Sequence, residues 1–369
     1  MKTIVILSHR DIKHYAGGGA TLYIHQIFRR LTHKYEITIV STEDSGLPQR
    51  EVVDGLKILR LPHRRLGRVF LPLSIVTGLA GRADIIVDNG DVALPWLTPL
   101  FNQTPKVCII YQVAGEIFNH ELPRPLSDIA IRVEPWVYRI YRNSKIITCS
   151  ASTKSELVRL GLTDANITVI RPGLGEAFAQ FEPDGKKFDN PTIVCISRFM
   201  KYKGVQYAIQ SMRHIIEKIP DAQLIIAGNG DDSAIRRQLS GLAYSGSVKI
   251  IERTPHLWDD EKKRLLAGAH VMLMPSVREG YGIVVIEANA CGTSAVGWDV
   301  PGLRDSILDG KTGILVPFED TNKLAEQVIA LISDGPLRSR MAASAVKWAR
   351  AHSWDKAAKE FDNVLDAVS

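Results

Sequence analysis

Short apolar runs alternate with amphipathic stretches along the whole chain. The runs at 3–8, 36–41, 57–61, 84–88, 106–111, 145–149 and 167–170 read as buried strands. Helical patterns lie between them. In Ala20–His33, for example, Ile24, Ile27, Phe28 and Leu31 recur on one face. This is the βαβ pattern of a parallel, doubly wound α/β sheet. The stretch from Arg171-Pro-Gly-Leu-Gly175 to Pro191 is rich in Gly, Pro and charge, and it reads as an interdomain linker and hinge. The pattern then restarts, with strands expected at 192–197, 223–228, 248–251, 271–275, 293–297 and 313–316. The division is therefore 1–172, a linker at 173–189, and a second doubly wound domain at 190–353. A closing helix over 354–369 sets Ala357, Phe361, Val364 and Val368 on one face.

Composition narrows the class without naming a function. A length of 369 residues suits two domains of about 150–200 residues each, and 45% hydrophobic with 23% charged residues suits an ordinary globular protein. Met1-Lys2 runs straight into an apolar strand, so no secretory leader is expected. No apolar run approaches the roughly 20 residues of a membrane span. Cys108, Cys149, Cys195 and Cys291 are scattered without metal-ligand spacing, which fits a reduced, cytoplasmic setting. A net charge of +6 suits an anionic substrate or membrane surface better than nucleic acid.

The most informative stretch is Arg278-Glu279-Gly280-Tyr281-Gly282, with a second acid at Glu287. Glu279 follows a strand at a Gly-rich turn that opens a helix, where bare backbone N–H groups favour an anion. Glu287 sits in an apolar run with no Lys or Arg within a helical turn. An unpaired charge buried there costs on the order of several kcal/mol. Its partner is thus either distant in sequence or a hydroxyl-rich ligand. Arg198 and Lys203 bracket the loop after the first strand of the second domain, at the sheet edge where such folds bind ligands. Cations there can clamp a diphosphate. Ala227-Gly228-Asn229-Gly230 gives a tight turn at the same edge, and Gly17-Gly18-Gly19 precedes the first helix. Neither a dinucleotide fingerprint nor a phosphate-loop lysine motif is present. No Asp-x-Asp pair follows a strand, so no bound metal is expected, and no cofactor either.

These residues resemble the retaining glycosyltransferases of family 4, which have the GT-B architecture of two Rossmann-like domains facing a cleft. The likeness runs over nearly the whole chain. It rests on Glu279-Gly-Tyr-Gly with Glu287 (the family's E-x7-E signature), the Gly17–Gly19 loop, Ser197-Arg198…Lys203-Gly204, Ala227-Gly-Asn-Gly230, Asp309-Gly-Lys-Thr-Gly313 and the closing Trp354 helix. The resemblance implies that Arg198 and Lys203 hold the diphosphate of a UDP-, GDP- or ADP-sugar donor. It gives Glu287 the ribose, and it gives Glu279 with the amides of Gly280, Tyr281 and Gly282 the donor sugar and phosphate. Gly18 and Gly19 close over the diphosphate, and Gly228 belongs to the donor site. The acceptor, a sugar or glycolipid hydroxyl, is expected on the N-terminal domain, to which the closing helix returns. Front-face transfer with retention needs no strong protein base and, in this family, usually no metal. Where the family commonly places a sugar-facing His, this chain has Tyr111, with Glu116 and His120 nearby as substitutes.

Two stretches mix cations with apolar groups: His63–Leu73, and Arg132–Arg142 with Trp136, Tyr138 and Tyr141. Both are candidates for peripheral contact with an anionic membrane at its cytoplasmic face. The rival functions are a nucleotide-sugar epimerase or phosphorylase of the same fold, and a non-catalytic nucleotide-sugar-binding subunit.

Overall fold

A computed structural model describes residues 1–44, 46–61, 78, 82–90, 95–253 and 258–368. The basic and apolar stretch 63–73 lies outside the described residues. The chain divides into two compact units, Met1–Gly173 with Ser353–Ser369, and Leu174–His352.

The first unit is an eight-stranded sheet. Its strands are β1 (Lys2–Leu7), β2 (Tyr35–Thr42), β3 (Arg50–Val53), β4 (Leu56–Leu61), β5 (Ile85–Gly90), β6 (Lys106–Ile110), β7 (Lys145–Thr148) and β8 (Ile167–Val169). They are ordered β3-β4-β2-β1-β5-β6-β7-β8. All neighbours are parallel except β3 and β4. Ile4, Val5, Ile6 and Leu7 are fully buried, as a central strand covered on both faces requires. Strand β3 is not among the expected strands. It is a half-exposed edge strand joined to β4 by Asp54-Gly55, both at positive φ (50° and 80°), the two-residue turn that sets hairpin twist.

The closing helix Trp354–Val368 belongs to this unit. Phe361 meets Phe28 edge-on at 5.0 Å, Trp354 meets Tyr23 at 5.9 Å, and Lys34 pairs with Asp362 and Asp366. Gly173 passes so close that a Cβ would lie 2.2 Å from the Trp354 nitrogen.

The second unit is an all-parallel sheet of β9 (Thr192–Arg198), β10 (Gln223–Asn229), β11 (Val248–Glu252), β12 (Val271–Met274), β13 (Ala295–Trp298) and β14 (Gly313–Val316). Its order is β11-β10-β9-β12-β13-β14. In both sheets the chain order reverses beside the first strand. The crevice at the C-terminal strand ends therefore opens between β1 and β5 in one unit and between β9 and β12 in the other. The stretch expected to be a linker is built into this second unit. Leu174 and Phe178 are buried. The Phe188 N–H donates to the Gly268 carbonyl at 2.8 Å, and Lys187 Nζ donates to the carbonyls of Ala267 and Gly292 and to Thr293 Oγ1. Buried Leu174 and Phe178 and the hydrogen bonds of Lys187 and the Phe188 amide tie it down.

Candidate active site

The loops leaving β9 and β12, the two strands at the reversal point, are laced together. After Arg198 the chain makes a 3-10 turn at Lys201–Lys203 and enters the helix Val205–Lys218 through Gly204, at φ 72°. A Cβ on Gly204 would sit 1.8 Å from the Pro275 carbonyl oxygen, so only glycine lets the two loops approach this closely. The Val277 N–H donates to the Tyr202 carbonyl at 2.8 Å. The loop after β13 closes the third side: the Glu279 N–H donates to the Pro301 carbonyl at 3.2 Å, and a Cβ on Gly302 would strike the Glu279 backbone.

Three loops thus fix Glu279, and its carboxylate meets Lys203 Nζ at 2.6 Å. Both side chains are nearly buried (9% and 12% exposed), so water screens the pair only weakly. Burial presses the Lys203 ammonium down, but the negative charge of Glu279, aided by Tyr202, outweighs it and raises the pKa overall. Lys203 is therefore held protonated. Arg198 donates from Nη2 to the Tyr202 hydroxyl at 3.2 Å, and Lys203 Nζ lies 4.8 Å from the centre of the same ring. Both cations contact Tyr202. The sequence reading found the cations and missed this phenol, whose place between them is a signal available in Arg198-x-x-x-Tyr202-Lys203.

Beyond Glu279 the chain turns through Gly282, at φ 85°, into the helix Ile283–Ala290. The first amides of that helix have no partner within it. The side chain of Tyr281 points elsewhere. It is buried, and its hydroxyl lies 2.6 Å from His352 Nε2, while His352 Nδ1 lies 2.9 Å from the Trp348 carbonyl. A carbonyl only accepts, so Nδ1 carries the proton, and Nε2 accepts from Tyr281. Tyr281 is a pin holding the turn to the helix Gly335–Arg350, and its backbone amide is what it can offer a ligand.

Glu287, one turn into the helix, is buried and finds a partner distant in sequence. Lys262 Nζ, from the helix Trp258–Gly268, donates to its carboxylate at 2.8 Å and lies 4.9 Å from the Phe178 ring centre. Burial raises the pKa of Glu287, and Lys262 opposes that rise. Gly228 has a packing reason of its own. It faces Ser197 across β9 and β10, and a Cβ would fall 1.7 Å from the Ser197 carbonyl oxygen.

In the first unit, Gly18 and Gly19 open the helix Gly19–Phe28. Thr21 Oγ1 accepts from the Gly18 N–H at 2.9 Å and lies 2.7 Å from its carbonyl, a cap the sequence reading missed. Tyr111 follows β6. Its hydroxyl donates to Asn89 Oδ1 at 2.7 Å and lies 3.2 Å from the Ala20 carbonyl. Asn89 Nδ2 in turn reaches Ser8 Oγ at 3.0 Å. Tyr111, the glycine loop and the ends of β1 and β5 therefore converge on this unit's reversal point. Asn89 and Ser8 were not singled out from sequence, because only the sheet order brings them there. Glu116 stands exposed at the start of the short helix Ile117–Glu121, and His120 is half-buried in it.

Two family models match the chain. One, described as glycosyltransferase family 4, covers residues 17–176, and the other, glycosyl transferases group 1, covers residues 177–348. A D-inositol 3-phosphate glycosyltransferase of Xylanimonas cellulosilytica is 28% identical, over 92% of this chain and 89% of the relative. A phosphatidyl-myo-inositol mannosyltransferase of Mycobacterium leprae is 25% identical, over 82% and 86%. Among solved structures, Anabaena HepE in complex with UDP and glucose superposes with a TM-score of 0.80 at 16% identity, covering 100% of both chains, which is a likeness of fold.

Proposed function

We propose that this chain, which belongs to glycosyltransferase family 4, is a retaining, metal-independent hexosyltransferase whose donor diphosphate binds Arg198 and Lys203. It is a glycosyltransferase of GT-B fold, working with nucleotide sugars in glycan biosynthesis. That reading displaces the epimerase, phosphorylase and binding-subunit alternatives. The observation that carries the site assignment is the buried Lys203–Glu279 pair at the β9/β12 reversal point, with Arg198 and Tyr202 beside it.

In this reading a bound diphosphate draws Lys203 onto its oxygens and frees Glu279 to accept from hydroxyls of the donor sugar. The amides of Gly280, Tyr281 and Gly282 supply neutral donors at the helix start. Glu287, paired with Lys262, accepts from the ribose. The bond from the anomeric carbon to the β-phosphate oxygen breaks with its electron pair leaving on phosphate. The acceptor oxygen forms the new bond on the same face, and its proton passes to the departing phosphate. The protein's share is positioning and stabilisation of charge on the leaving group. The acceptor, a sugar or glycolipid hydroxyl, falls to the first unit, with Tyr111, Glu116 and His120 as its candidate contacts, while Gly18 and Gly19 are assigned to the donor diphosphate. Among the described residues no helix is long and apolar enough to cross a membrane. A peripheral seat on the cytoplasmic membrane face completes the proposal.

Acceptor-dependent sugar release from a nucleotide sugar tests it. Glu279→Ala and Lys203→Ala should each lower turnover by about 100-fold or more, the scale of losing one preorganised charge contact. Unchanged turnover in both variants would refute the assignment.

A further inference from the structure

The helix Leu126–Arg139 of the first unit has two unlike faces. Its inner face buries Val137 and Tyr138 and turns Glu134 inward, where the carboxylate accepts from the N–H groups of Ala114 and Gly115 at 2.6 and 2.8 Å. Its outer face carries Leu126, Ile129, Val133 and Trp136, which are 54%, 53%, 46% and 66% exposed. With about 3.6 residues per turn, that spacing draws one continuous apolar stripe centred on Ile129 and Trp136.

Charge on this face is sorted by sign. Among the described residues 122–142, the exposed charges are Arg124, Arg132, Arg139 and Arg142, while Glu134 is buried and Asp128 half-buried. Arg132 and Arg139 flank the stripe, and the Arg139 guanidinium carbon lies 5.1 Å from the centre of the Trp136 ring. Past the helix, Arg139 and Arg142 line a surface cavity of roughly 480 Å³ together with Lys106, Pro99 and Leu100. Leu100 is 65% exposed, so the apolar and basic surface continues beyond the helix.

A contiguous apolar stripe in water marks a contact surface. A second copy of the same basic face would be repelled by like charge. An anionic bilayer satisfies both halves: aliphatic side chains and an indole enter the headgroup–acyl boundary while guanidinium groups meet lipid phosphates. We infer that the outer face of Leu126–Arg139 docks this chain on an anionic phospholipid bilayer. The assignment gives a surface to the peripheral seat proposed above and rests on that part of the reading, and its binding readout needs no sugar substrate.

The test is sedimentation of the full chain with phosphatidylcholine vesicles, with and without phosphatidylglycerol. Binding should rise about ten-fold with the anionic lipid and fall as salt is added. Ile129→Ser combined with Trp136→Ser should lower binding about ten-fold, and Arg132→Gln with Arg139→Gln should remove most of the salt dependence. Both variants should keep the wild-type unfolding temperature and turnover on a soluble acceptor. Equal binding to neutral and anionic vesicles would overturn the inference. So would undiminished binding by the Ile129/Trp136 variant, or a wild-type dimer in solution that this variant dissociates. A failed vesicle experiment with intact transfer would refute the docking surface and leave the enzyme assignment standing.

Discussion

Glu287 shows how far single residues could be read. A carboxylate in an apolar run announces that something must answer it, but the answering group, Lys262, lies 25 positions away on another helix. No periodicity links the two; the sheet order does. The same holds for Tyr281, whose motif was plain while its bond to His352, 71 positions away, was not. The Glu287–Lys262 contact is a buried pair, so removing one partner strands the other. Lys262→Met should cost about 3 kcal/mol in urea unfolding, and adding Glu287→Gln should recover much of that loss. Simple additivity of the two substitutions would show that the contact does not couple them. Lys187 makes a second prediction at this scale. Burial, helped by the positive charge of Arg338, lowers its pKa from 10.5 to about 8. Between those values the unfolded chain binds more protons than the folded one, so stability must rise with pH across that window. Wild type should gain stability relative to Lys187→Met from pH about 8 to about 10, and a flat difference would refute the shift.

At the scale of elements, every expected strand has a counterpart in the two sheets, because parallel strands buried on both faces are written as unbroken apolar runs. Strand β3, Arg50-Glu-Val-Val53, was missed for the converse reason: an edge strand exposed on alternate residues carries no such run. Its Asp54-Gly55 turn was the available signal. In the stretch expected to be a linker, Phe178 and Phe188 are apolar residues whose partners lie elsewhere in the second unit. Gly204 tests how the elements build the site. Substitution by Ala meets both a positive φ and the Pro275 carbonyl. Gly204→Ala should lose at least about 2 kcal/mol of stability and displace Lys203 with its turn. Denaturant unfolding together with transfer rates checks this, since full activity in a destabilised variant would separate the turn from the site.

For the whole molecule, the alternation of strands and helices made two doubly wound units legible, and the spacing of Glu279 and Glu287 pointed to the family. The sequence left unspecified which loops meet, because that depends on strand order: β9 neighbours β12, so residues near 200 and near 279 share one crevice. The donor assignment depends on that neighbourhood and is open to direct measurement. Calorimetric titration of UDP, GDP and ADP into wild type and into Lys203→Ala, the variant also carrying Glu279→Gln so that no buried charge is left unpaired, measures it without an acceptor. Wild type should bind at least one of these diphosphates, and the variant should bind it about ten-fold or more weakly at an unchanged unfolding temperature. Equal affinity in the two proteins would contradict a diphosphate site at Lys203.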